Sequence, residues 1–96
     1  MLRRAALCSS LAVAVLLPAA APAYPPITCG RTTVGGHAYV VRTHGPKCGF
    51  AIKWSRSYIA HHRAPTGFTC RAYGSGVPAD CIRKGRKNMY FLATKP

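Results

Sequence analysis

The sequence predicts a small α+β fold of order ββαβββ, one helix packed across an antiparallel sheet and stapled by two disulfides. Three observations predict it. Two runs of strand-forming residues are split by Gly35-Gly36, residues 46–61 carry one apolar side at helical period, and four cysteines are spread over a short stretch rich in turn residues.

The chain opens with a segment that reads as something other than fold. Arg3 and Arg4 precede an apolar run of 13 residues (5–17), and Pro18 begins a small-residue stretch ending Ala21-Pro22-Ala23. Charged, apolar and small regions in that order make an export signal. The run is shorter than the roughly 20 residues a spanning helix needs. Residues 1–23 are therefore expected to be a signal peptide cut after Ala23, which takes Cys8 with it. Residues 24–96 are expected to be a single small cationic disulfide-stapled domain, secreted or held in the cell envelope, with no transmembrane segment after processing.

From Ile27 the chain is rich in β-branched residues (Thr28, Thr32, Thr33, Val34), and Tyr39, Val40 and Val41 follow the glycine pair. Two glycines accept the positive φ of a two-residue hairpin turn, so strands are expected near 28–34 and 37–43. His44-Gly45-Pro46 breaks the second strand, and Pro46 suits the first helical position, where its missing N–H costs nothing. On a helical wheel from Pro46 to His61, Cys48, Phe50, Ala51, Ile52, Trp54, Ser55, Tyr58 and Ile59 fall on one side. Gly49, Lys53, Arg56 and Ser57 fall on the other. His61, His62 and Arg63 place cations at the helix C-terminus, where they complement its dipole, and Ala64-Pro65 ends the run.

Phe68 to Tyr73 reads as a third strand, Gly74-Ser75-Gly76 as a turn and Val77 to Arg83 as the return, with Pro78 placing the start of that return late or at an edge. Residues 84–87 form the next turn, and residues 88–94 the last strand. Centring the second hairpin on Ser75-Gly76 puts Cys70 opposite Cys81 and Arg71 opposite Asp80. Centring the first on Gly35-Gly36 puts Cys29 beside Arg42, just ahead of the turn that leads to Cys48. The expected pairs are Cys29–Cys48 and Cys70–Cys81, one of three possible connectivities.

Residues 24–96 hold twelve Lys and Arg against the single Asp80, a formal charge of +11. Such a field attracts polyanions and anionic surfaces and opposes the chain's own compaction, so the disulfides must supply part of the stability. One carboxylate is too few for the acid pair of a glycosidase or a calcium cage. The cysteines are separated by 18, 21 and 10 residues, which is not the spacing of zinc knuckles. No serine elbow, H-E-x-x-H or phosphate loop occurs, and Gly74-Ser75-Gly76 is a turn. Neither a metal nor a cofactor is expected.

The densest functional feature is Arg83-Lys84-Gly85-Arg86-Lys87, four cations in five residues at a hairpin tip. Adjacent cations repel, so folding gives little reason to gather them. They read either as a solvated turn that discourages edge-to-edge pairing or as a patch for an acidic polymer or anionic surface, with non-specific affinity for nucleic acid. Arg31, Arg42, Lys47, Lys53, Arg56 and Arg63 would extend the patch if folding placed them on the same side. His61 and His62, joined by His37 or His44 and a lysine, would suit acid–base cleavage of RNA; a helix end carrying cations explains them as well. The stripe of Phe50, Trp54 and Tyr58 reads as core.

Cys29-Gly30, Lys47-Cys48 followed by Ala51 and Tyr58, Gly67-Phe68-Thr69-Cys70, and Cys81 before a basic turn and Tyr90-Phe91 together resemble a loose group of small exported four-cysteine α+β proteins of actinobacteria. The resemblance spans most of residues 29–92. It implies a fold type and export, and it carries no activity or catalytic residues. The leading expectation is a non-catalytic cationic binding module acting through Arg83, Lys84, Arg86 and Lys87. A secreted antagonist, either membrane-active or an inhibitor of another protein, is the alternative, and a secreted ribonuclease comes third.

Overall fold

The structure, a computed structural model, describes residues 25–96; the expected signal peptide lies outside the described residues. The elements run β1 (Ile27–Val34), β2 (His37–His44), α1 (Cys48–His61), β3 (Phe68–Tyr73), β4 (Val77–Arg83) and β5 (Arg86–Thr94). They form one five-stranded sheet ordered β1-β2-β5-β4-β3, antiparallel throughout. The fold is therefore the α+β arrangement that the sequence predicts. The last strand enters between the first hairpin and the second, so β5 becomes the centre.

Period-two alternation decides what each strand buries. Tyr39, Val41 and Thr43 of β2, Ala79 and Cys81 of β4, and Phe91 and Ala93 of β5 are buried under α1, while their neighbours in sequence lie on the other face. The helix sets Ala51 and Ser55, one turn apart, onto this surface, and both are fully buried. Small residues there let the helix come close to the sheet. The expected aromatic stripe is consequently pushed to the β3 side and only partly covered. The Phe50 ring lies tilted 5.6 Å from that of Phe68 and edge-to-face 6.0 Å from that of Phe91, and the Tyr58 hydroxyl donates to the Cys70 carbonyl at 3.4 Å.

Both expected disulfides form, with Cα separations of 5.3 Å for Cys29–Cys48 and 4.0 Å for Cys70–Cys81. Cys70 and Cys81 are direct cross-strand partners, as are Arg71 and Asp80. Cys29 does not sit beside Arg42. Thr28 pairs with Arg42 and Gly30 with Val41, leaving Cys29 as the extra residue of a β-bulge. Gly30 adopts φ 125°, open to glycine alone, and the bulge bends β1 where its sulfur meets the helix.

Three other expectations shift. The helix begins at Cys48, with Lys47 as its extended N-cap, because the Thr43 hydroxyl donates to the Pro46 carbonyl at 2.9 Å and holds Pro46 in the loop. Arg56 is exposed, as its side of the wheel predicts, but instead of extending the basic patch it donates to the Thr32 hydroxyl at 2.8 Å and the Thr33 carbonyl at 2.7 Å, tying α1 to the edge strand β1. The turn between β4 and β5 is only Lys84-Gly85, with Gly85 at φ 76°, so Arg83 pairs with Arg86 and both Arg86 and Lys87 belong to β5. The next partners are Ile82 and Tyr90, so residues 87–89 are looped out against β4.

Ser55 is fully buried and its hydroxyl has no hydrogen-bond partner. An unpaired buried hydroxyl costs about 1 kcal/mol or more, and alanine is the better helix former. Ser55→Ala is expected to stabilise the domain by about 1 kcal/mol, raising the melting temperature by about 5 °C. A lower melting temperature for that variant would show that the hydroxyl is satisfied.

Candidate functional site: the helix-free face and the basic hairpin

The alternation that buries one face of the sheet arrays polar and aromatic residues on the other. Cross-strand pairing places His44, Tyr90, Ile82 and Thr69 in one row, and Arg42, Leu92, Asp80 and Arg71 in the next. The first row begins with the His44 and Tyr90 rings stacked at 6.0 Å, and His44 Nδ1 donates to the Asn88 carbonyl in the looped-out segment. In the second, Arg42 donates to the Thr94 hydroxyl at 3.1 Å.

At the β3–β4 side this face dips into a groove of 380 Å³. Tyr73 and Arg71 of β3 line it with Asp80 and Ile82 of β4, and Arg83, Lys84 and Lys87 close it at the hairpin. Tyr73 is 54% exposed, large for an aromatic side chain with no core role. Three of the four cations singled out from sequence thus border one concavity. Arg86, cross-strand from Arg83, does not line it. Arg71 joins instead, and the register that pairs it with Asp80 was the signal that could have found it.

The other cations do not all share this side. Arg56 is spent on β1 and Lys53 lies 5.4 Å from the Trp54 ring on the helix, whereas Arg42 is on the helix-free face but held by Thr94 and outside the groove lining. Arg83 also serves the opposite face, with its guanidinium 5.9 Å from the Phe68 ring. There it borders a second concavity, of 300 Å³, between the helix start and the hairpin.

Burial pushes the Asp80 carboxyl above the usual carboxylate range, and the charge of Arg71 offsets this only in part. The tyrosine of the adjoining row, Tyr90, is also raised, first by burial and then by the negative charge of Asp80. Because the folded state holds the Asp80 proton more tightly than the unfolded chain, Asp80 lowers stability as pH rises from its unfolded value of 3.8 through its raised folded value. Asp80→Asn is expected to flatten that part of the stability profile and to be the more stable protein above it. Urea midpoints measured across acidic pH check this, and a variant that is less stable at neutral pH would show that the Arg71 pairing outweighs burial.

The histidines divide between the two ends of the domain. His62 caps α1 in the left-handed conformation, its N–H bonded to the Tyr58 carbonyl at 2.8 Å and its ring 5.4 Å from that of Tyr58. His44 sits at the helix-start end of the sheet, a full helix length away, about 20 Å. His44 therefore cannot complete a site with His61 and His62, and His37 lies at the β1–β2 turn. Among the described residues, no three His, Cys, Asp or Glu side chains gather as metal ligands. No helix among them is long and apolar enough to cross a membrane. Comparison with known protein families, curated proteins and solved structures finds no match to this chain.

Proposed function

We propose that this domain is a non-catalytic binding module for an acidic polymer, which lies in the groove of the helix-free face and is gripped by the basic hairpin. One observation carries the reading: Arg71, Arg83, Lys84 and Lys87 converge on a single 380 Å³ concavity whose only acidic group is the partly buried Asp80. Cations spread evenly would give general stickiness, whereas cations around a groove give a path for a chain of phosphates or sulfates. From Thr69 to Tyr73 the groove runs about 13 Å along β3, enough for two or three such groups. Tyr73 adds a ring against which a sugar or base can lie. Two disulfides fit work outside the cell. The exported actinobacterial group that the cysteine pattern resembles suggests the same setting.

The experiment is a titration with heparin and with a glycerol-phosphate polymer at several salt concentrations. Arg83, Lys84, Arg86 and Lys87 are each replaced by Gln in one variant shown to be folded. Each phosphate left without its cation takes about 0.7–0.9 off the log–log salt slope, so the variant, which removes three groove cations and the neighbouring Arg86, is expected to lose a slope of about 2 to 3 and at least tenfold in affinity. Unchanged affinity in the folded variant would end the proposal.

A further inference from the structure

We infer that the hairpin end of the domain, on its helix side, is a docking surface for an anionic phospholipid bilayer. The inference rests on the proposed function for its cations and on separate residues for its apolar part. Cross-strand registers bring Ile27, Thr43, His44, Arg83 and Arg86 to one end of the sheet, together with the Lys84-Gly85 turn and the start of α1. Two of the four large apolar side chains most exposed in the structure belong to this end and lie outside the polymer groove: Ile27, 64% exposed, and Phe50, 36% exposed.

Between α1 and the hairpin lies the 300 Å³ concavity, lined by Pro46, Lys47, Phe50, Phe68, Arg83 and Met89. Its walls are aromatic and aliphatic, its charged members are both cations, and no carboxylate borders it; the first turn of α1 has no acidic residue either. Lys47 and Arg83 line the concavity, and Lys84, Arg86 and Lys87 follow on the adjoining hairpin, so five cations lie at this end of the domain beside a partly exposed apolar patch.

A hydrophilic polyanion uses the cations and gains nothing from Phe50, Met89 or Ile27. A bilayer surface uses both, because apolar side chains enter the interface while the cations meet lipid phosphates. Charge complementarity and exposed apolar groups at one end of the domain therefore select a membrane over a free polymer. The domain lies on the membrane and does not span it. Trp54, one turn beyond Phe50 with rings 6.3 Å apart, is close enough to report the contact.

The test measures co-sedimentation of the intact protein, disulfides formed, with vesicles of phosphatidylcholine alone and of phosphatidylcholine with phosphatidylglycerol. Binding is expected only to the second, with a blue shift of Trp54 emission. Neutralising hairpin cations is expected to cost about fivefold in partitioning per charge. Phe50→Ser is expected to cost about tenfold and to leave heparin binding unchanged. Since Phe50 touches Phe68 and Phe91, Met89→Gln in the concavity and Ile27→Asn on β1 at the same end provide milder tests, each costing a few-fold. No binding to anionic vesicles overturns the inference. Binding that none of the three apolar substitutions weakens also overturns it, and the polymer reading then stands. Failure of the unmodified protein to bind heparin would instead refute the polymer reading, whatever the vesicles do.

Discussion

In strong reductant at neutral pH the domain is expected to unfold, losing near-ultraviolet dichroism and expanding in the same transition. Each disulfide closes a short loop, with partners separated by 19 and 11 positions, and each is worth about 3 kcal/mol. Together they match or exceed the roughly 5 kcal/mol a domain of this size holds in total. The core shows why little else compensates. Among the described residues, half of the eight buried hydrophobic ones are Ala51, Ala79, Cys81 and Ala93, side chains that remove little apolar area from water. The twelve Lys and Arg of residues 24–96, against one carboxylate, add repulsion that compaction makes worse.

The two bridges should also be separable. Replacing Cys29 and Cys48 by Ala is expected to lower the melting temperature by about 15 °C, with hydrogen exchange rising first in β1. That strand is otherwise tied to α1 by the Arg56 bonds. Replacing Cys70 and Cys81 should cost more, because Cys81 is itself fully buried. A protein that kept its fold with free thiols demonstrated in reductant would show that the core is sufficient without the bridges.

Phe91→Ala is expected to be the most damaging core substitution, costing about 3–5 kcal/mol and leaving at most a marginally folded domain. Phe91 is the largest fully buried side chain, lies on the central strand and meets both Phe68, at 5.6 Å, and Phe50. Phe50, Phe68 and Phe91 contact one another, so the Phe91 ring helps join β3, β5 and the helix start. Phe50→Ala, at a ring already partly in water, should cost about half as much. Urea denaturation of the two variants separates them, and a destabilisation below about 1 kcal/mol for Phe91→Ala would mean that the surrounding rings collapse into the space.

Local chemistry determined which segments became strands and which the helix. Gly35-Gly36 and the β-branched runs about it carry enough turn and strand preference to act without distant partners. The register of the second hairpin, and with it the Cys70–Cys81 pair and the facing of Arg71 with Asp80, followed from counting outward from one turn. The same count failed at Cys29 because a bulge at Gly30 inserts one residue, and a bulge depends on where the sulfur must reach. The basic cluster was legible as charge, yet its turn was shorter than composition indicated, and only Arg83, Lys84 and Lys87 reach the groove.

From the sequence alone came the element order, both disulfides, the excess of positive charge and the exclusion of carboxylate chemistry, since each depends on neighbouring residues or on composition. Tertiary structure alone decided that β5 lies at the centre, that Ala51 and Ser55 displace the aromatic stripe, and that Arg71 joins the hairpin cations. It also set His44 far from His61 and His62. These outcomes depend on which strands pair and how closely the helix approaches. Those are contacts between residues distant in sequence, whose energies no local pattern contains.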